Sequence, residues 1–263
     1  MRAVLLALAL AACAPQPVRD LAQGQTGSIA YRSLMEDVTL TGVLRLPEAP
    51  AGPVPVVVIA HGTGGVDGRG ARWAAFFLEH GIGSLEIDYF GPRGLRGGVT
   101  QRLPTPTHDI YSALKILATH PRVDRQRLAV IGFSRGGAMA LDSSNYTESL
   151  AGVRTAAHVG LYPWCSDVQL HIRRDLPPVL VLSGAEDHFF FNGSCQAAVR
   201  KAAEGGRQAT FKAYPGAYHG WDGSYTGAVS YTYTPLEYRI QADAGVTRQS
   251  MEDVLAFLRR AMP

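Results

Sequence analysis

"VIGFSRGGAM", residues 130–139, decides how this chain folds. An apolar run leads into Gly132-Phe133-Ser134-Arg135-Gly136-Gly137, and a short helix-like segment follows. A serine between two glycines is either a plain turn or a nucleophile on a tight strand-to-helix elbow. The elbow lifts Oγ above the edge of a sheet, and it requires a strand before the serine and a helix after it. "RLAVIG" and "RGGAMAL" meet both requirements. The pattern Gly-x-Ser-x-Gly is weak alone, and this context gives it its weight.

Working outward, the same alternation continues in both directions. Residues 36–46, "EDVTLTGVLRL", alternate as an antiparallel edge strand does. "VPVVVIAHG", 54–62, is a continuous β-branched run, as expected of a strand covered on both faces. Helices are expected over 71–81, 107–120, 194–206 and 247–261. Further strands are expected in "IGSLEIDYFG", "TAAHVGLYPW", "PPVLVLSGAED" and "ATFKAYPG". Strands alternating with helices predict an α/β protein with a mostly parallel central sheet and helices on both faces. Such sheets carry their sites at the carboxyl ends of the strands.

The chain has 263 residues, 46% hydrophobic and 18% charged, with a formal net charge of +3. That length supports one large core. The basic residues are mostly scattered arginines, so nucleic acid is not an expected partner. "MRAVLLALALAACAPQP" opens with one arginine and an apolar run too short to span a bilayer but suited to an export signal. The run ends in Leu10-Ala11-Ala12-Cys13, which resembles the lipobox of bacterial lipoproteins. The expected organisation is a signal peptide over 1–12, a lipidated Cys13 with a tether to residue 27, and one domain over 28–263. The chain would then be lipid-anchored to a bacterial membrane, facing the periplasm; an ordinary signal peptide is the alternative. Cys165 and Cys195 remain as an even pair. Both are expected where neighbouring parallel strands end, and a disulfide between them suits an oxidising compartment.

A nucleophilic serine needs a base, and the base needs an orienting acid. On an elbow-bearing sheet they follow in the order serine, acid, histidine. Four histidines lie downstream of Ser134: His158, His171, His188 and His219. His158 falls inside an expected strand and reads as core, and His171 has no strand end beside it. His219, in "YPGAYHGWD", follows the last strand and is the expected base. "VLVLSGAEDHF" places Glu186 and Asp187 just past a buried strand; Asp187 is favoured, with Glu186 its rival. Asp222 is too near His219 in sequence to orient it and reads as a loop hydrogen-bonder. The oxyanion donors should be the backbone N–H of Arg135, which follows the nucleophile, and that of Thr63 in "HGTGG", 61–65, with Gly64 next. His61 precedes the nucleophile, so it reads as structural.

These stretches together resemble the dienelactone hydrolase family of α/β-hydrolases. The matching residues are "HGTGG", "DYFGPRG" (88–94), "VIGFSRGG", "LSGAEDHF" and "YPGAYHGW", in the family's order across about 36–261. The founding members use a catalytic cysteine; this chain has serine there, as many relatives do. The resemblance implies the α/β-hydrolase fold, the triad Ser134, Asp187 and His219, and hydrolysis of a carboxylic ester or lactone through an acyl-enzyme. No metal or organic cofactor is implied, because no His or Cys cluster has ligand spacing. A peptidase or acyltransferase on the same triad, or a non-catalytic lipid-anchored binding protein, are the alternatives. Tyr89, Phe90, Tyr162, Trp164, Phe189, Phe190 and Trp221 all fall at strand ends or in nearby loops, and are candidates for pocket walls or for loop packing. Arg93 and Arg135 are candidates to hold a substrate carboxylate, though an arginine in "GPRG" more often binds loop carbonyls.

Overall fold

A computed structural model describes residues 16–49, 51–97, 107–165, 168–188, 192–230 and 237–263. The strands are β1 (Gly27–Arg32), β2 (Thr39–Arg45), β3 (Val54–Ala60), β4 (Gly83–Asp88), β5 (Val123–Phe133), β6 (Ala157–Leu161), β7 (Val179–Gly184), β8 (Ala209–Tyr214), β9 (Gly227–Ser230) and β10 (Glu237–Ile240). The helices are α1 (Arg69–Glu79), α2 (Thr107–Leu117), α3 (Arg135–Ser143), α4 (Thr147–Ala151), α5 (Asn192–Glu204) and α6 (Ala244–Ala261). Eight strands form one sheet in the order β1-β2-β4-β3-β5-β6-β7-β8, and β9 and β10 pair as a separate hairpin. From β4 across to β8 every pairing is parallel; β1–β2 and β2–β4 are antiparallel.

The β-branched run of β3 is explained by two cores. Val56 and Val58 point into a cluster with Ile110 and Leu114 of α2 and Met139 of α3. Val57 and Ile59 point the other way, onto Trp73 and Phe77 of α1 and Val254 and Leu258 of α6. Side chains alternate across a strand, so a strand sandwiched between helices must be apolar at every position. Fully burying each such side chain contributes roughly 1.5–3 kcal/mol. A third cluster packs α5 on β7 and contains Cys165 and Cys195. These two form a disulfide with a Cα–Cα distance of 5.1 Å. It links the segment after β6 to α5, as the neighbouring strand ends predicted.

Three expectations change. The strand read at 36–46 is β2, and it is not the edge: β1 lies outside it. Residues 13–27 are not all tether. Val18 bridges to Tyr31 and its N–H donates to the Ala30 carbonyl, while Leu21 is fully buried with its N–H on Thr119 Oγ1. Two isolated apolar residues make no period, but each fills a gap beside β1 and α2. Cys13 and the apolar run before it lie outside the described residues. The hairpin β9–β10 adds the third difference, because four-residue strands flanking residues 231–236 carry too little pattern to be read.

Candidate active site

Three loops at the carboxyl ends of β5, β7 and β8 meet. Ser134 sits between β5 and α3 with φ 52° and ψ −114°. A non-glycine residue rarely adopts that backbone, and such strain collects at functional sites. The flanking glycines make it possible: a Cβ on Gly132 would run into the Gly136 carbonyl, and one on Gly136 into the carbonyls of Ala60 and His61. Two hydrogen bonds pin the elbow to the strand beside it. Ser134 N–H donates to Leu161 C=O at 2.9 Å, and Trp164 N–H donates to Ser134 C=O at 3.4 Å.

His219 Nε2 lies 3.0 Å from Ser134 Oγ, and His219 Nδ1 lies 2.8 Å from Asp187 Oδ2. Both partners of the second bond are buried, at 5% and 4% exposure, while Ser134 is half-buried. The imidazole is thus held with Nδ1–H on the carboxylate and Nε2 free to accept from the hydroxyl. The acid and base loops are also tied to each other. Glu186 N–H donates to Ala217 C=O at 2.9 Å, and Ala185 N–H donates to Tyr214 C=O at 2.9 Å. Asp187, not Glu186, therefore supplies the carboxylate that meets the imidazole.

The first helical bond of α3 runs from Ala138 N–H to Ser134 C=O. The N–H of Arg135 lies ahead of it, in the first turn, where no intrahelical acceptor exists. The loop after β3 turns across the same point. Gly62 comes so close that a Cβ on it would lie 3.5 Å from Ser134 Cβ, and a Gly65 N–H to Gly62 C=O bond of 3.1 Å closes the turn around half-buried Thr63. The residues expected to line an oxyanion site are thus brought to the elbow.

His61 is structural, as expected. Its Nδ1 donates to the Gly62 carbonyl at 2.8 Å, and its ring stacks on Tyr89 at 3.7 Å. His158 is fully buried between Thr155 Oγ1 and the Ala140 carbonyl. Burial, opposed by the Ala140 carbonyl and aided by the Arg207 charge, pushes its imidazole down to about 3. Arg93 is committed to the Tyr89 carbonyl and to the carboxylates of Glu36 and Asp109, so it holds the loop and is no carboxylate clamp.

Of the two alternatives for the aromatic residues, loop packing holds for most of the described ones. Tyr89, Phe90, Tyr162 and Trp221 are at most 2% exposed and pack the loops. A position at a strand end tells where a side chain starts, not which way it points. Tyr89 donates its hydroxyl to the His61 carbonyl, and Trp221 donates Nε1 to Ser250. Trp164 is half-buried with the Arg135 guanidinium over its ring at 5.6 Å, and it remains beside the elbow. Phe189 and Phe190 lie outside the described residues. The polar group beneath His219 is built on Asp222, which reads from the sequence only as a loop hydrogen-bonder. Asp222, fully buried, accepts from Tyr162 Oη at 2.5 Å and from Trp73 Nε1 at 2.8 Å. Arg69 Nη1 donates to the same Tyr162 hydroxyl at 2.6 Å. Burial pushes that hydroxyl well above its usual range, so it stays protonated.

Among solved structures the chain is similar to a dienelactone hydrolase-like promiscuous phosphotriesterase from metagenomic libraries, with 18% identity over 91% of this chain and 99% of that one and a TM-score of 0.71. It is also similar to a propionate-bound esterase of Thermogutta terrifontis, with 18% identity over 91% and 95% of the two chains and a TM-score of 0.65. At these identities the likeness carries the fold. No curated protein matches the chain by sequence. The profile described as the dienelactone hydrolase family matches residues 94–262, well over half of the sequence, and takes in the elbow and the Asp187 and His219 loops. The chain belongs to the dienelactone hydrolase family.

Proposed function

We propose that this chain hydrolyses carboxylic esters or lactones through an acyl-enzyme on Ser134. The observation that carries the proposal is the unbroken hydrogen-bonded line from Ser134 Oγ through His219 to Asp187, built on a strained elbow. Ser134 Oγ attacks the ester carbonyl carbon while His219 Nε2 takes the hydroxyl proton. Asp187 holds the Nδ1–H tautomer and stabilises the imidazolium. The carbonyl oxygen becomes an oxyanion that accepts from the N–H groups of Arg135 and Thr63. The carbon–oxygen bond to the alcohol then breaks, and His219 returns its proton to the leaving oxygen. A water, deprotonated by His219, attacks the acyl-enzyme; the acid leaves and Ser134 regains its proton.

A Thermogutta terrifontis esterase of similar fold is phosphorylated by paraoxon. The test is turnover of a p-nitrophenyl ester with and without a fluorophosphonate probe. The probe should label Ser134 and abolish turnover one for one, and Ser134→Ala should neither turn over nor label. Label on another residue, or turnover that persists in Ser134→Ala, would sink the assignment.

We propose further that Cys13 carries a lipid anchor that holds the domain at a bacterial membrane, on the periplasmic side. Leu10-Ala11-Ala12-Cys13 after a short apolar run supports this, and the Cys165–Cys195 disulfide suits an oxidising compartment. Cys13→Ser should move the protein from the membrane fraction to the soluble one. A mature N-terminus at any other residue counts against it.

A further inference from the structure

Residue 162 touches the supports of all three loops. The residue before it, Leu161, receives the Ser134 N–H. Its own N–H donates at 2.6 Å to Leu182 of β7, the strand that leads to Asp187. Its ring meets the His219 imidazole at 4.7 Å and 67°, and Trp221 at 4.7 Å and 80°. Its backbone has φ 37°, the second non-glycine residue with positive φ beside Ser134 among the described residues. A bulky aromatic held there needs surroundings that over-determine it.

Those surroundings are the Asp222 group. The Tyr162 hydroxyl stands between Asp222 Oδ1 and Arg69 Nη1, and the second oxygen of Asp222 is fixed by Trp73. Arg69 Nε lies 3.6 Å from the same carboxylate, and Arg72 donates to the Asp222 carbonyl. Asp222 follows His219 by three residues, so α1, through Trp73, Arg69 and Arg72, grips the base loop at one end. The Tyr162 ring grips the imidazole at the other.

We propose that Tyr162, Asp222 and Arg69 form a clamp that sets the plane of the His219 ring, with Tyr162 as its positioning residue. The clamp touches no reacting atom. It acts because Nε2 must face Ser134 and Nδ1 must face Asp187 at once, and a ring free to tilt loses one of the two. The inference rests on the reading of Ser134, His219 and Asp187 as the catalytic triad.

Tyr162→Phe keeps the ring and removes the hydroxyl. On an activated ester, kcat per fluorophosphonate-titrated site should fall about tenfold with KM within about twofold, the cost of a small misplacement. The acid limb of kcat/KM against pH should move to lower pH, because an imidazolium less well seated on Asp187 loses its proton more readily. Asp222→Asn should give the same two changes, and the double variant should lose no more than either single one, since one clamp is broken in each case. A role in stability alone would lower Tm and leave both readouts where they were. Wild-type kcat per titrated site with an unmoved acid limb in Tyr162→Phe overturns the clamp, as do losses that multiply in the double variant. Should Tyr162→Phe fail to fold, Arg69→Lys, which removes the bond to the hydroxyl, carries the same expectations and the same refutation. Ser134→Ala run alongside separates the two claims: if it stays active the triad fails, and if it is dead while Tyr162→Phe is unchanged only the clamp fails.

Discussion

The chain contains two His-Gly pairs at the carboxyl ends of strands, His61-Gly62 after β3 and His219-Gly220 after β8. Both histidines are buried to the same degree, at 4% and 5% exposure, and both lie near an aspartate. They differ in what each nitrogen is given to do. His61 spends Nδ1 on the Gly62 carbonyl, sets Nε2 3.4 Å from the Tyr89 N–H and 3.7 Å from Asp88, and lies flat on Tyr89. His219 spends Nδ1 on Asp187 and leaves Nε2 for the serine. Burial therefore does not mark the base. An imidazole becomes one when its second nitrogen faces a group that must lose a proton.

The contrast is broken most severely at His219. His219→Ala should lower kcat by about 10⁴- to 10⁶-fold, as loss of a triad member does elsewhere. His61→Asn, which retains a donor for the Gly62 carbonyl, should stay within about tenfold of wild-type kcat and lose about 1–3 kcal/mol of stability with its stacking partner. Steady-state kinetics and thermal melts of the pair decide it; equal kinetic losses would erase the distinction.

The two aspartates sharpen it next. Asp187→Asn should cost about 10⁴ in kcat by favouring the wrong imidazole tautomer. Glu186→Gln, beside it, should stay within a few-fold. Burial works to raise the Asp88 carboxyl, but the nearby His61 ring and the bonds from the Gly91 and Phe90 N–H groups outweigh it and hold the group low. Asp88→Asn should thus loosen the loop and lower Tm, with kcat changed far less than by Asp187→Asn. The reverse ranking of the aspartates, read from kcat, would assign the chemistry to the wrong pair.

The disulfide comes third. It closes a span of 30 residues that includes the Asp187 loop. The chain-entropy view gives it about 3–4 kcal/mol. Reduction, or Cys165→Ser with Cys195→Ser, should lower Tm and reduce kcat several-fold as Asp187 drifts from His219. Peptide mapping without reduction checks the bridge, and an unchanged kcat on reduction would free the loop from it.

The smallest kinetic effect belongs to His158, which is held neutral in the folded chain. Its folded value of about 3 lies below its unfolded 6.5, so below pH 6.5 the unfolded chain binds the extra proton. Its contribution is complete above pH 6.5 and declines as pH falls toward 3, with a slope approaching about 1.4 kcal/mol per pH unit. His158→Gln should flatten that part of the stability–pH curve and leave kcat near wild type. An unaltered slope in denaturant melts between pH 6 and 4 would show that His158 does not supply it.

Much of this was legible before any coordinates. The α/β alternation follows from β-branched runs that must be apolar on both faces, and Ser134 and His219 follow from where they stand relative to strand ends, while strand position alone left Glu186 as the rival of Asp187. Besides the β9–β10 hairpin, three things were not legible. β1, with Gly27 and Ser28 at its start, has only Ile29, Ala30 and Tyr31 to mark it, and it pairs with β2 through backbone bonds that side-chain pattern does not report. Leu21 is one buried residue in a polar segment, and one residue has no period. The Tyr162–Asp222–Arg69 group joins residues 60 to 153 positions apart through side-chain directions that spacing cannot encode. The choice between pocket wall and loop packing for Tyr89, Phe90, Tyr162 and Trp221 turns on the same side-chain directions.

The strand order carries a consequence for the chain's first moments. Ser134 and the strands that shape its elbow, β3, β5 and β6, precede Asp187 and His219, and 85 residues separate the serine from the histidine. At the usual pace of synthesis, His219 emerges roughly 4–17 s after Ser134. Through that interval the nucleophile exists with no base to awaken it. A nascent hydrolase made in this order stays inert toward its surroundings until the loop after β8 that bears His219 docks, and a product truncated before β8 is left permanently unarmed.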